Sequence, residues 1–189
     1  EAGSLVSEAV DRGVNYFDVA PTYGNAQEML GPALEPYRND VFLSCKTTER
    51  TAAGARTELE ESLRLLRTDH VDLYQLHSLN TDEDFDTATG PGGAWEVFLQ
   101  AREEGKARFL GFSSHSAETA LRLIESVDGL DSVLFPTNWC TWLAAGFGPQ
   151  VIDAAQQKGL ARLALKAMAY GKIAEGAEKK WSRCWYQPI

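Results

Sequence analysis

Gly13-Val14-Asn15-Tyr16-Phe17-Asp18-Val19-Ala20-Pro21-Thr22-Tyr23-Gly24-Asn25 is the stretch on which the fold turns. A glycine that can stop a helix is followed by a short run, Val14 to Val19, rich in β-branched and aromatic residues. Turn chemistry follows in Pro21 to Asn25. Before the glycine, Leu5, Val6, Ala9 and Val10 make an apolar stripe at helical spacing. The unit therefore reads helix, glycine turn, strand, loop, with Asp18 arriving as the strand ends.

Working outward, the unit recurs. Further strand-like runs are Val41 to Cys45, Val71 to Leu76, Arg108 to Phe112, Ser132 to Phe135 and Ala161 to Leu165. Gly105, Gly129 and Gly159 stand at later helix-to-strand joints. Leu59, Leu63 and Leu66 mark a helix whose wet side carries Glu58, Glu60, Glu61, Arg64 and Arg67. Leu121, Ile124 and Val127 follow Ser116, a capping box made imperfect by Thr119 in the Glu or Gln position. Val151, Ile152 and Ala155 mark another helix, ended by Lys158-Gly159. The acidic run Asp82-Glu83-Asp84-Phe85-Asp86 reads as a solvated loop.

Short strands apolar on both faces, recurring about every ~30 residues with helices between, are the mark of βαβ units and a parallel sheet. A doubly wound sheet and a (β/α)8 barrel lacking two strands both fit. No Gly-x-Gly-x-x-Gly follows the first strand, as the first architecture would require. Asp18, Lys46, His77, Ser113 and Asn138 instead sit at the ends of five different strands, on the rim where barrels build their sites. The expectation is one α/β domain over residues 1–189, a TIM barrel incomplete in this chain, with six strands corresponding to strands two to seven. Because such a barrel exposes sheet edges, a longer native chain, or an assembly supplying the remainder, is also expected.

Bulk properties narrow the function. The chain of 189 residues has a net charge of -9, and its 18 Lys and Arg form no basic run. That argues against nucleic acid and against polybasic binding to a membrane surface, yet allows an anionic cofactor held by local dipoles and single cations. The three cysteines are scattered, without metal-ligand spacing, as in a reduced cytoplasmic protein. No apolar stretch approaches the ~20 residues that span a bilayer. The opening residues lack the basic and apolar regions of a signal peptide.

Asp18, Tyr23, Lys46 and His77 carry the chemistry. A phenol has a pKa of ~10, too high for an efficient acid at neutral pH, and a neighbouring ammonium favours the phenolate. A carboxylate beside Lys46 holds that ammonium in place, and His77 orients a substrate oxygen. Together they make a device for protonating a carbonyl as hydride arrives.

At this point GVNYFDVAPTYGNAQEMLG (13–31), VFLSCKT (41–47), VDLYQLH (71–77) and GKARFLGFSSHS (105–116) resemble the aldo-keto reductase family over nearly the whole chain. The resemblance implies reduction of an aldehyde or ketone by a nicotinamide cofactor, NADP with NAD possible, and no metal. It makes Tyr23 the general acid, Lys46 and Asp18 its supporting pair, and His77 the orienting group. Ser113, Ser114, His115, Asn138 and Lys166 then face the cofactor. Near the end, Cys184-Trp185-Tyr186 resembles a bacterial subgroup of the family, some of whose members carry an iron-sulfur domain further on; no such cysteine cluster is present in this sequence.

Departures from the family pattern are plain. Ser113-Ser114 replaces Ser-Asn, Leu134 takes the place of a Gln, and Leu165 that of an aromatic that stacks on nicotinamide. Trp139 and Trp142 either wall a substrate pocket or cover the barrel top. Two other readings stand beside the reductase: a non-catalytic nicotinamide-nucleotide sensor or subunit on the same fold, and a metal hydrolase using Asp18 and His77. The partner expected is a small carbonyl compound, and substrate and oligomeric state stay open.

Overall fold

A computed structural model describes residues 1–143, 145–179 and 186–188. Six strands form one parallel sheet: β1 (Tyr16–Asp18), β2 (Phe42–Thr47), β3 (Val71–Leu76), β4 (Ala107–Ser113), β5 (Ser132–Pro136) and β6 (Ala161–Leu165). Their spatial order is their chain order, β1-β2-β3-β4-β5-β6, and every neighbouring pair is parallel. This order decides the architecture. A doubly wound sheet reverses direction at a switch point, whereas here each right-handed crossover steps the same way. Stepping in one direction places the helices on one face and curls the strands into an incomplete barrel wall.

Three of the four glycine joints act as the sequence predicts; the helix of Ala117–Ser126 instead ends at an extended Val127, two residues before Gly129. After α1 (Ala2–Asp11), Gly13 adopts φ 87°, its N–H donating to the Val10 carbonyl while Val14 N–H reaches back to Ala9. This six-to-one closure ends the helix and aims the chain into β1. Gly105 and Gly159 close α5 (Ala94–Glu103) and α8 (Pro149–Gln157) in the same way. Arg67, at φ 54°, takes the glycine position after α3 (Ala52–Leu66).

Alternation along each strand sorts the two faces. Leu43, Cys45, Tyr74, Leu76, Leu110, Phe112, Val133 and Phe135 turn outward into a core shared with Leu59, Leu63, Phe98 and Leu123 of the helices. Cys45 packs there as a small apolar residue. The opposite face is less apolar than the sequence reading held: Ser44, Lys46, Gln75 and Ser113 are all buried on it. Below them Tyr16 stacks on Phe42 at 5.3 Å and Phe42 on Phe109 at 6.2 Å between ring centroids.

Two expectations need correction. The acidic run is not a loop: it opens α4 (Asp82–Thr89), capped by the Thr81 side chain. Carboxylates in a first turn favour the helix dipole, and Arg122 of α6 (Ala117–Ser126) binds Asp82 at 2.8 Å and Asp86 at 2.7 Å. The first strand is shorter than Val14 to Val19, because the Val14 N–H is spent closing α1. Ser116 does cap α6, its hydroxyl accepting from Thr119 N–H. Sequence reading also missed α2 (Ala26–Leu34), and an antiparallel pair, β7 (Ala169–Lys172) and β8 (Tyr186–Pro188), beyond β6.

Candidate active site

The C-terminal ends of β1, β2 and β3 bring Asp18, Tyr23, Lys46 and His77 together. Lys46 is 1% exposed, and its ammonium donates to Asp18 Oδ1 and to the Tyr23 hydroxyl, the latter at 3.3 Å. Tyr23 reaches back because its loop is a tight turn: Tyr23 N–H donates to the Ala20 carbonyl, and Ala26 N–H to Tyr23. The ring lies with its centroid 5.0 Å from Lys46 Nζ and is 46% exposed, open to a ligand. His77 meets it edge-on, with centroids 5.8 Å apart and planes at 88°, and Thr22 Oγ1 lies 3.5 Å from His77 Nδ1.

Charge and burial set the states of these groups. His77 is pushed down to about 4, first by burial and then by the positive charges of Lys46 and Arg50 and by His115, so its imidazole is neutral at pH 7. Burial raises the Asp18 carboxyl above its usual value, with Lys46 opposing the shift. An ammonium already occupies Asp18, which leaves that carboxylate ill placed to serve beside His77 as a metal ligand.

Residues that the sequence reading did not single out hold the His77 corner. Arg50 donates to the His77 carbonyl at 2.7 Å and pairs with Asp84 at 3.0 Å. Ser78 follows in the left-handed region, at φ 52°, its N–H donating to Ser113 Oγ at 2.8 Å. Arg50 bears no local signature. Only the fold, by placing the β2–α3 loop beside α4, reveals its role.

The second half of the rim is arranged differently. Ser113 is buried and spends its hydroxyl on Ser78; Ser114, also buried, donates from its hydroxyl to Ser116 O and Asn80 Oδ1 and accepts from Ser116 N–H. His115 N–H donates to Asn80 Oδ1 at 2.6 Å. Asn138 is buried, its Oδ1 accepting from Thr141 N–H and its amide donating to the Lys166 carbonyl at 3.3 Å. Lys166 reaches His115, with 2.6 Å between Nζ and Nε2. His115, Asn138 and Lys166 line a cavity of about 420 Å³ together with Tyr170. Trp139 and Trp142 lie on the short α7 (Trp139–Leu143), 50% and 36% exposed, Trp139 approaching Tyr170 at 6.0 Å. Cys184 and Trp185 lie outside the described residues. A larger cleft of about 660 Å³ lies between α2 and α3, lined by Glu28, Glu49, Glu58 and Glu61 and by none of the tetrad.

A model of the Aldo/keto reductase family matches residues 1–182. The chain belongs to that family. Among curated proteins it is similar to the uncharacterized oxidoreductase YqkF of Bacillus subtilis, 31% identical over 60% of this chain and 40% of that protein. It is also similar to L-galactose dehydrogenase of Arabidopsis thaliana, 24% identical over 96% of this chain and 59% of that protein. A crystal structure of an aldo-keto reductase of Pseudomonas aeruginosa superposes with a TM-score of 0.75 at 28% identity, over 89% of this chain and 64% of that one. An aldo-keto reductase of Klebsiella pneumoniae, solved in complex with NADPH, shares the fold with a TM-score of 0.70 at 24% identity, over 87% of this chain and 57% of that one. The chain thus spans roughly half the length of these curated relatives. Among the described residues no helix is long and apolar enough to cross a membrane.

Proposed function

We propose that this chain forms the catalytic half of a cytoplasmic NAD(P)H-dependent aldehyde or ketone reductase, with Tyr23 as general acid. The observation that carries the reading is the contact of one buried ammonium, Lys46, with both Asp18 and the Tyr23 hydroxyl. As Tyr23 gives up its proton to a carbonyl oxygen, negative charge develops on the phenolic oxygen, and Lys46 stabilises it at hydrogen-bond distance. Asp18 fixes the ammonium and balances its charge. Neutral His77, with its ring edge-on to Tyr23, orients the same carbonyl oxygen by a hydrogen bond. When bound, the nicotinamide supplies the hydride.

The residues of the second half-rim fit such a cofactor unevenly. Lys166 offers a cation and its cavity offers room, while Ser113, Ser114 and Asn138 brace the rim by hydrogen bonds to neighbouring loops. NADP is the cofactor this reading favours, with NAD open. Replacement Tyr23→Phe tests the assignment. Expected is loss of carbonyl-dependent NADPH oxidation with cofactor binding, followed by nucleotide fluorescence, unchanged. Full turnover in the variant would remove Tyr23 from the role of acid, and binding without turnover in the parent across a panel of aldehydes and ketones would instead support a nucleotide sensor on this fold.

A further inference from the structure

We propose that Lys166 and His115 form a seat for an oxyanion on the β4–β6 side of the rim, a step that deepens the reductase reading by naming the group the ligand presents there. Three observations converge. Lys166 contacts a neutral partner: its ammonium donates to His115 Nε2, whereas Lys46 and Lys106 each pair with carboxylates. Among the described residues no acidic group lies within ion-pair reach of it. Burial alone lowers its proton affinity, with no carboxylate to oppose the shift. A cation drawn partly out of water without a counter-ion is costly, and a ligand oxyanion removes that cost.

The arms of the seat are also fixed. Lys166 adopts φ 55°, a conformation unfavourable for a side-chain-bearing residue, and Asn138 holds its carbonyl. On the other side, Asn80 holds the backbone of His115. With Nε2 accepting from Lys166, the other imidazole nitrogen keeps its hydrogen and can donate. The ammonium has further N–H groups to give. The pair therefore offers several donors and one positive charge, at a cavity whose wall carries Tyr170 and Asn138. Carboxylate or phosphate oxygens match those donors.

Such an oxyanion has two sources, a carboxylate on the carbonyl substrate or a phosphate of the nucleotide. Imidazole NMR of His115, titrated with inorganic pyrophosphate, reads the seat without turnover. The unaltered chain is expected to show a saturable shift; Lys166→Met weakens it by about tenfold or more, and Lys166→Arg largely preserves it. Circular dichroism establishes that each variant is folded. Titration with NADPH, and separately with carboxybenzaldehyde against benzaldehyde, assigns the source: the ligand that moves the His115 signal and loses affinity in Lys166→Met is the one seated there. No His115 response in the folded parent, or equal pyrophosphate affinity in Lys166→Met, overturns the proposal. A chain that binds pyrophosphate through Lys166 yet reduces no carbonyl keeps the seat and discards the reductase reading.

Discussion

The two halves of the rim are built on opposite plans. On the β1–β3 side, side chains from separate strands reach one another across the sheet: Lys46 holds both Asp18 and Tyr23, and His77 stands against Tyr23. On the β4–β6 side, Ser113, Ser114 and Asn138 spend their side chains on bracing neighbouring loops, at Ser78, Asn80 and the Lys166 carbonyl, while Lys166 and His115 meet across strands. Charge differs too. The ammonium of the first half is matched by a carboxylate, whereas that of the second is left for a ligand. One half is organised before anything binds; the other awaits a charge from outside.

The largest effect expected from breaking this contrast comes at Lys46. Removing one partner of a buried ion pair strands the other, so Lys46→Met should cost about 3 kcal/mol of stability in urea unfolding, besides ending turnover. Adding Asp18→Asn should recover most of the stability and none of the activity, because the stranded carboxylate is gone while Tyr23 still lacks its cation. Lys166→Met, whose partner is neutral, should leave unfolding nearly unchanged. Equal losses at the two lysines would erase the distinction between the halves.

Much of this was legible in the sequence, for physical reasons. Parallel strands and glycine closures are local: Val71 to Leu76 reads as a strand and is one, and Gly13, Gly105 and Gly159 close their helices at positive φ, whereas α6 ends at an extended Val127 before Gly129 is reached. The tetrad was legible because Asp18, Lys46 and His77 fall at strand ends, where one residue's position fixes its direction, and Tyr23 lies in the turn that follows the first of them. What escaped depends on contacts between elements distant in sequence. The helix of Asp82–Thr89 looked like a solvated loop because Arg122, which binds two of its carboxylates, lies 40 residues away from Asp82. Arg50 and Ser78 escaped likewise. Ser113 and Ser114 announced a polar rim in the sequence, but their hydrogen bonds to Ser78, Asn80 and Ser116 exist only once loops have closed.

A second test bears on His77. Its imidazole ionises near 6.5 when unperturbed and only near 4 in the fold. Between those values the unfolded chain binds the proton and the native chain does not, so stability falls as pH drops through the window and is unaffected above it. His115 is depressed in the same direction, by burial and by Lys166, and adds a slope of the same sign. His77→Gln should flatten the fall in urea midpoint between the two ends of the window, and His77→Gln with His115→Gln should flatten it further. A profile unchanged by either substitution would mean that burial at the rim does not hold these rings neutral.

The smallest effect sharpens the comparison most directly, because each half contains one strained residue. Ser78 has φ 52° and Lys166 φ 55°, both in the left-handed region that costs a side-chain-bearing residue about 1 kcal/mol relative to glycine. Ser78 contributes backbone groups to its corner, its N–H to Ser113 and its carbonyl to Arg50. Ser78→Gly should therefore relieve strain, raise the urea midpoint slightly and leave catalysis in place. Lys166→Gly should relieve similar strain while abolishing the anion seat. The same backbone change would then separate a residue kept for its carbonyl and N–H from one kept for its charge. If Ser78→Gly instead lowers activity at undiminished stability, the strain itself positions His77, and the first half of the rim depends on its backbone as much as on its charges.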